Sequence, residues 1–406
     1  MVFRIALSGI NAASADLGVT ANNIANVNTT GFKGSRAQFA DVYAVGTQSV
    51  SSTVGGSGAR LAEIAQQFTQ GNIDFTENSL DLAISGEGFF VLNDNGSRLY
   101  TRAGNFSVDR DGFVVNATGL RVQSYPVGAD GLFNTGNLTD LQLNTGANPP
   151  RATERISFGI NLPADDVAPI NPVFDPSDAA SFNYTTAVTV YDTLGAAHTA
   201  TSYFIKGANS NEWEVQTTID GNVVGTPEPV VFGPDGTLQT PATGSFTLAA
   251  YDPLNGSDPL NIDLQFVDTT QFGAHFGVNS VTQDGFTTGR LTGSEVSPTG
   301  VVFATFTNGQ STALGRLAVA SFVNPQGLSQ DGDTNWAESF TSGDAALGDA
   351  GSARFGLIQA GALEASNVDL TAQLVNMITA QRNFQANAQM ISTADTVTQT
   401  VINIRR

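Results

Sequence analysis

The chain contains no cysteine, which excludes disulfides, thiolate metal sites and a cysteine nucleophile. Lysine occurs only at Lys33 and Lys206, and histidine only at His198 and His275, so imidazole chemistry is thin. Charged side chains make up 13 % of the residues, against about 25 % in an average soluble domain. The net charge is −20 and there is no basic cluster, which argues against nucleic acid or an anionic membrane surface as a partner. No apolar run approaches the roughly 18 residues of a membrane span, so no membrane insertion is expected. What remains is a chain of 406 residues, long enough for two or three domains.

The scarce charge is unevenly placed. Between Asp140 and Ala350 there are 23 acidic and 5 basic side chains, which accounts for −18 of the −20. The first forty residues hold only Arg4, Asp16, Lys33 and Arg36, and the last forty only Asp369, Arg382, Asp395, Arg405 and Arg406. The centre is a solvated, acidic body. The ends are nearly uncharged, and uncharged helices that stay soluble usually bury themselves against something.

Both ends carry a heptad pattern. Phe3, Ile10, Leu17 and Ile24 recur every seven residues, each followed three positions later by Ala6, Ala13, Thr20 and Val27. That a/d seam predicts one helix over 3–28, stopped at Asn26-Val-Asn-Thr-Thr-Gly31. With a single basic residue and polar positions inside the apolar stretch, it does not read as a cleavable signal. At the other end Leu370, Leu374, Met377, Gln381, Phe384, Ala388 and Ile391 step by four and three, and Ala394, Val397, Val401 and Ile404 continue after a slip near Ala394. Ser366 or Asn367 is the expected cap, with Asp369 favouring the positive helix end. The opposite faces of both helices carry Ala, Ser, Thr, Asn and Gln instead of Lys and Glu. The two helices are expected to pair, and their small uncharged faces to admit further helices from other copies, so that alone they would be loosely ordered.

Inward of the helices lie Gly/Ser-rich stretches, 31–70 and 341–364, which suggest connectors with hinge positions at Gly55, Gly56, Gly58, Gly343, Gly348 and Gly351. From Gly71 to Phe340 the pattern is β. Leu82, Ile84, Phe89, Phe90 and Leu92 precede a turn at Asn93-Asp-Asn-Gly96. Asp109-Arg-Asp-Gly112 separates two more strands, and Asn308-Gly309 a further hairpin over 301–322. Trp213, Val215, Thr217 and Ile219, and then Leu260, Ile262, Leu264 and Phe266, alternate with polar residues, as antiparallel sheets with one wet face require. A Pro-rich stretch from Pro149 to Pro176 separates two β regions. The expected class is α+β and multi-domain, with the N- and C-terminal helices paired as a coiled-coil-like inner domain and mostly antiparallel β domains nested in sequence. The divisions are 1–30 and 365–406 helical, 31–70 and 341–364 connector, 71–145 and 285–340 middle β, and 146–284 outer β.

Chemistry is hard to find. Gly-x-Ser-x-Gly, Gly-Lys-Ser/Thr and His-Glu-x-x-His are all missing. Asp109-Arg-Asp111-Gly and Asp331-Gly-Asp333 lack the remaining ligands of a calcium loop and suit hairpin turns better. His198 and His275 are expected as satisfied histidines rather than bases. No catalytic residue, metal site or cofactor is expected.

The longest motifs carry a resemblance. Ala21-Asn22-Asn23-Ile-Ala-Asn26-Val-Asn-Thr-Thr-Gly31-Phe32-Lys33 resembles the N-terminal signature of bacterial flagellar rod and hook axial proteins. Asn367-Val-Asp369-Leu and Met377-Ile-Thr-Ala-Gln381-Arg382-Asn-Phe-Gln-Ala-Asn387 resemble their C-terminal signature. Asp81-Leu-Ala-Ile-Ser-Gly-Glu-Gly-Phe-Phe90 and Tyr100-Thr-Arg-Ala-Gly-Asn-Phe106 resemble their shared β domain. The extra residues 146–284 resemble the outer domain of hook subunits, where rod members are shorter. The resemblance implies a homo-oligomeric tube outside the cell, with terminal helices inside and β domains outside. It acts as a flexible universal joint between motor and filament. The implied partners are the distal rod protein, the hook cap, the hook–filament junction protein and the flagellar type III export apparatus. Outside that reading stand a rod protein with an inserted domain and, from a different class, a secreted β adhesin.

Overall fold

The computed structural model describes residues 2–42, 56–128, 130–143, 146–352 and 354–404. Two long helices bracket the chain, α1 (Val2–Ala25) and α2 (Leu370–Ile404), and nearly all other regular structure is β. The helix α1 ends where its sequence signals it. Gly31 takes φ +68°, in the left-handed region that only glycine enters at little cost. The cap of α2 lies two or three residues later than expected. Asp369 Oδ1 accepts the N–H groups of Thr371 (2.8 Å) and Ala372 (3.1 Å). Asp369 is therefore the cap itself, and Asn367 is left for another task.

The chain forms two compact units. The first comprises Met1–Asn144, Gly293–Ala304 and Thr312–Arg406; the second comprises Thr145–Thr292 and Thr305–Ser311.

In the first unit a mostly antiparallel sheet runs in the order Ser311–Ser321, Arg121–Pro126, Phe89–Asp94, Ser97–Thr101, Asn335–Ala337 and Ser329–Gly332. The strand Phe89–Asp94 shows why it sits in the middle. Phe90 and Leu92 face one buried cluster with Leu82, Phe106 and Leu317, while Phe89 and Val91 face another with Tyr100, Phe322 and Trp336. Successive side chains point to opposite faces of a strand, so apolar residues at consecutive positions mark a strand covered on both sides. The turn that follows uses Asn95 (φ +48°) and Gly96 (φ +102°), as a tight hairpin demands.

The expected connectors are built into sheets. Ser35–Asp41 pairs antiparallel with Ala59–Gln66. Of the second stretch, Ala346–Asp349 pairs with Ser311–Ser321, Leu357–Ala360 with Leu82–Ser85, and Ala362–Glu364 with Ile73–Phe75. Gly348 is a packing position and not a pivot, because a Cβ there would lie 2.2 Å from the Phe355 ring. Gly351 (φ +77°) faces Leu357, and Gly58 (φ +103°) faces Ser8 on α1, with similarly little room. At Gly56 and Gly343 an added Cβ would meet nothing within 4 Å. Gly55 lies outside the described residues.

The second unit has two five-stranded sheets that share one core of Phe158, Phe204, Trp213, Val230 and Phe266. Trp213, Val215, Thr217 and Ile219 are all buried, as their alternation suggests. Gln216 and Thr218 are buried as well. The register shifts at Gln216, whose amide donates to Val224 O at 3.0 Å. Arg155–Pro163, which falls within the Pro-rich stretch, is the central strand of the other sheet. It pairs parallel with Asp263–Gln265 and Thr270–Phe272 and antiparallel with Gly277–Gln283. The two parallel pairings are exceptions within the mostly antiparallel order expected, and strand alternation does not foretell them because it reveals burial, not the direction of the neighbour.

His198 joins two loops of this unit. Its Nδ1 is 2.6 Å from Asp220 Oδ2 and its Nε2 3.4 Å from Asp192 Oδ2. Burial pulls its pKa down, but the two carboxylates outweigh it and hold the imidazolium above its ordinary range. A folded-state pKa above the unfolded value contributes stability that is complete below about pH 6.5 and is lost as pH rises through the folded pKa. The depressed pKa values of Asp192 and Asp220 act lower, being lost only as pH falls below about 3.9. The melting temperature of the second unit should fall between pH 6 and pH 9, and His198→Gln should flatten that slope in calorimetric scans.

Candidate functional site

The paired helices are the first feature. The side chains buried on them are mostly small. Ala6, Ala13, Val19, Thr20 and Asn23 are buried on α1, and Ala380 on α2. At Gly9 an added Cβ would sit 2.3 Å from Asn387 Oδ1, so the backbones approach as closely as a missing side chain allows. Asn387 donates to Asn383 O within its own helix at 2.8 Å.

The large seam residues are placed differently. Phe3 is 44 % exposed, Phe384 38 % and Val401 59 %; Leu370, Leu374 and Val397 are exposed too. Ile10, Leu17, Ile24, Val27, Met377 and Ile391 are half-covered. Within one protomer the seam residues Ala6, Ala13 and Thr20 of α1 are buried, while the remaining seam residues of both helices are partly or wholly uncovered. Threonines on α2 add to this surface. Thr379, Thr393, Thr396, Thr398 and Thr400 each donate their hydroxyl to the carbonyl four residues back, at 2.8–3.0 Å.

The second feature is the junction between helices and sheet. Glu364 is fully buried between two cations. Lys33 Nζ donates to Glu364 Oε1 at 2.6 Å and to Thr69 O at 2.8 Å. Arg102 Nη1 reaches Glu364 Oε2 at 3.2 Å, and its Nη2 donates to Gly86 O at 2.8 Å. Gly71 N–H adds a bond to Glu364 Oε1, and Gly31 N–H one to the Glu364 carbonyl. Burial lowers the pKa of Lys33 and of Arg102, with Glu364 opposing the shift in both. Glycines in the segments around it are close-fitting. A Cβ would lie 2.4 Å from Ala103 N at Gly31, 2.0 Å from Ala365 O at Gly71 and 1.7 Å from Leu82 O at Gly104.

Two asparagines complete the junction. Asn23, on α1, accepts Ser35 N–H at 2.8 Å, and its amide donates to Ser35 O at 2.7 Å and to Gln373 Oε1 of α2 at 3.4 Å. Asn367 accepts Gly34 N–H at 2.8 Å and donates to Gln67 O and Thr69 O. These amides act as pins on the backbone where α1 and α2 meet the strands. Of the other signature residues, Asn26 accepts the Thr29 hydroxyl and donates to Asn22 O. Phe32 is half-buried, and Asn22, Gln381 and Arg382 are exposed.

Sequence reasoning singled out Lys33 and Asn367 but not Arg102 or Glu364 as their partners. A signal was present: Glu364 is the only acid between Ala350 and Val368. Among the described residues no group of three or more His, Asp or Glu could hold a metal ion, and no helix is long and apolar enough to cross a membrane.

The same segments align with known families. Residues 3–33 match the flagella basal body rod protein model and 359–404 the C-terminal model of the flagellar basal body rod FlgEFG proteins. Residues 83–171 match the D1 domain of flagellar hook protein FlgE/F/G, and 161–286 the D2 domain of flagellar basal body protein FlaE. Paired terminal helices around inserted β domains are thus the build of the flagellar rod and hook proteins. The flagellar hook proteins FlgE of Escherichia coli and of Salmonella typhimurium are both 39 % identical over the full length of both chains. That of Borreliella burgdorferi is 32 % identical over 98 % of each. The chain belongs to the flagellar hook protein family, a structural family of the bacterial flagellum. The crystal structure of the Helicobacter pylori flagellar hook protein FlgE2 shares the fold, with a TM-score of 0.55 at 18 % identity over 72 % of this chain and all of that one.

Glu364→Gln should cost about 3–5 kcal/mol, because breaking a buried pair leaves uncompensated charge. Denaturant unfolding of the full chain should show the loss in the transition of the first unit, with that of the second unchanged.

Proposed function

We propose that copies of this chain polymerise into the hook through the uncovered faces of α1 and α2, with the sheets of the first unit carried on that helical wall. The observation that supports this is the exposure of large apolar side chains on a helix pair already closed by small ones. Each Leu, Val or Phe so placed gains about 1.5–3 kcal/mol when fully buried by a neighbour. Few charges stand on these helices to oppose that approach. The acidic second unit suits wet, polar contacts that can slip as a curved tube turns, where a broad apolar patch would lock.

The reading assigns a structural role without catalysis. Its partners are further copies of the chain, the distal rod protein at the base, the hook cap at the growing tip, the hook–filament junction protein at the far end, and the flagellar export apparatus. Passage through a narrow channel fits termini that reach full order only on assembly. The Glu364 junction fixes where the helices leave the sheet and so sets the angle at which they are offered to a neighbour.

Leu374→Asp or Val401→Asp should abolish polymer formation in sedimentation and electron microscopy while the thermal transitions of both β-rich units stay within about 0.5 kcal/mol of the parent, as for other exposed sites. Loss of folding together with assembly would assign the helices to the protomer's own core and overturn this reading. Straight, rigid polymers from the unaltered chain would favour a rod protein over a hook.

A further inference from the structure

Asparagine precedes glycine at three places, Asn95-Gly96, Asn255-Gly256 and Asn308-Gly309. The pair is chemically weak, because glycine has no side chain to keep its backbone nitrogen from the asparagine amide carbon. The three are held differently. Gly96 N–H donates to Asn93 Oδ1 at 2.8 Å and Gly309 N–H to Phe306 O at 3.0 Å, each closing a turn. Gly256 N–H has no acceptor among the described residues. Asn255 and Gly256 are both exposed to water. Asn255 Oδ1 accepts Ser257 N–H at 3.0 Å, a bond that spans Gly256 and polarises the amide carbonyl. Asn308 Oδ1 makes the same bond to Gln310 N–H at 3.1 Å, so the free Gly256 N–H is what sets Asn255 apart. The Asn255 amide donates to Asp192 Oδ2 at 2.5 Å.

We propose that Asn255 is a site of spontaneous deamidation through a cyclic imide, reacting ahead of Asn95 and Asn308. Gly256 N attacks Asn255 Cγ, and a new C–N bond forms as the Cγ–Nδ2 bond breaks. The Gly256 proton passes to solvent base. The side-chain nitrogen takes a proton from solvent and leaves as ammonia. Water then opens the imide at one carbonyl or the other, giving aspartate or isoaspartate. Ser257 N–H supports the first step, since it already points to the oxygen on which negative charge develops. The consequence falls on the fully buried Asp192, whose Oδ2 serves Asn255 and His198 Nε2 together. Burial pushes the Asp192 pKa up, but hydrogen bonds from Asn255, Ala196, His198 and Leu194 outweigh it and hold the carboxyl below its ordinary range. Deamidation exchanges the amide donor for a second carboxylate, so one bond is lost and two like charges meet. The same two loops are also tied by Asp258 N–H to Thr193 Oγ1 at 3.1 Å, and the repulsion works against that tie. The second unit thus carries a slow, irreversible gain of negative charge that needs no enzyme and does not depend on how copies associate.

The test ages the full-length chain at mildly alkaline pH in water enriched in oxygen-18, once folded and once in urea, and follows the three sites by peptide mass spectrometry. In urea the three should react at similar rates, because each has glycine next. In the folded chain Asn255 should lead the other two by about 2- to 12-fold, the factor for one hydrogen bond of about 0.5–1.5 kcal/mol that Gly96 and Gly309 must break. A folded rate at Asn255 equal to or below that of either other site would overturn the proposal. The aged chain should show a lowered melting temperature in the transition of the second unit, and unaged Asn255→Asp should show the same loss. Asn255→Gln keeps an amide but closes its ring poorly, so that variant should hold its transition on ageing. An Asn255→Asp chain that melts with the parent would overturn the consequence drawn for Asp192.

Discussion

One buried carboxylate sets where the distant segments of the first unit meet. Glu364 receives Lys33 from the N-terminal segment and Arg102 from the central sheet while standing on the C-terminal return. Three stretches far apart in sequence are thereby fixed within a few ångströms. Such a pair is weak support for stability as such, since desolvating three charges offsets much of their attraction. Its value is geometric. No slipped register of these strands would bring both cations to the same carboxylate, so the arrangement specifies where α1 and α2 depart from the sheet.

The helices and the junction divide the labour. The junction is charged, glycine-lined and closed, while the helix pair is neutral and open. Small residues at Ala6, Gly9 and Ala13 let the two backbones approach closely, leaving the large ones outside. A protomer whose own pairing used Phe3, Leu374 and Phe384 would have less to offer a neighbour. The helical faces are apolar in a chain whose charge is concentrated elsewhere.

Much of this was legible in the sequence. The heptads located both helices to within three residues at each end, because a seam and a glycine stop are local signals. The hairpins at Asn95-Gly96 and Asn308-Gly309 were legible for the same reason. Asn23, Gly31, Lys33, Asn367 and Asp369 were visible as parts of motifs, but their tasks were not. Asn367 looked like a cap and is a pin, and Lys33 looked like a signature and is half of an ion pair whose partner lies 331 positions away. The connectors misled because Gly and Ser lower the β signal whether they make a chain loose or merely make room, as Gly348 does beside Phe355. The parallel pairing of Arg155–Pro163 left no trace, since neighbours in a sheet are chosen by topology rather than by pattern.

The threonines of α2 carry a further consequence. By composition the last third of that helix looks hydrophilic, yet its hydroxyls are spent on carbonyls of the helix itself. An adjacent rod laid along it would meet threonine methyl groups beside the exposed Asp395 and Gln399, which hydrogen-bond each other, so fewer polar groups are free to fix it at one height than the composition suggests. A wall built on such a face would yield to shear more readily than to separation, the mechanical character of a lubricated bearing rather than of a zip.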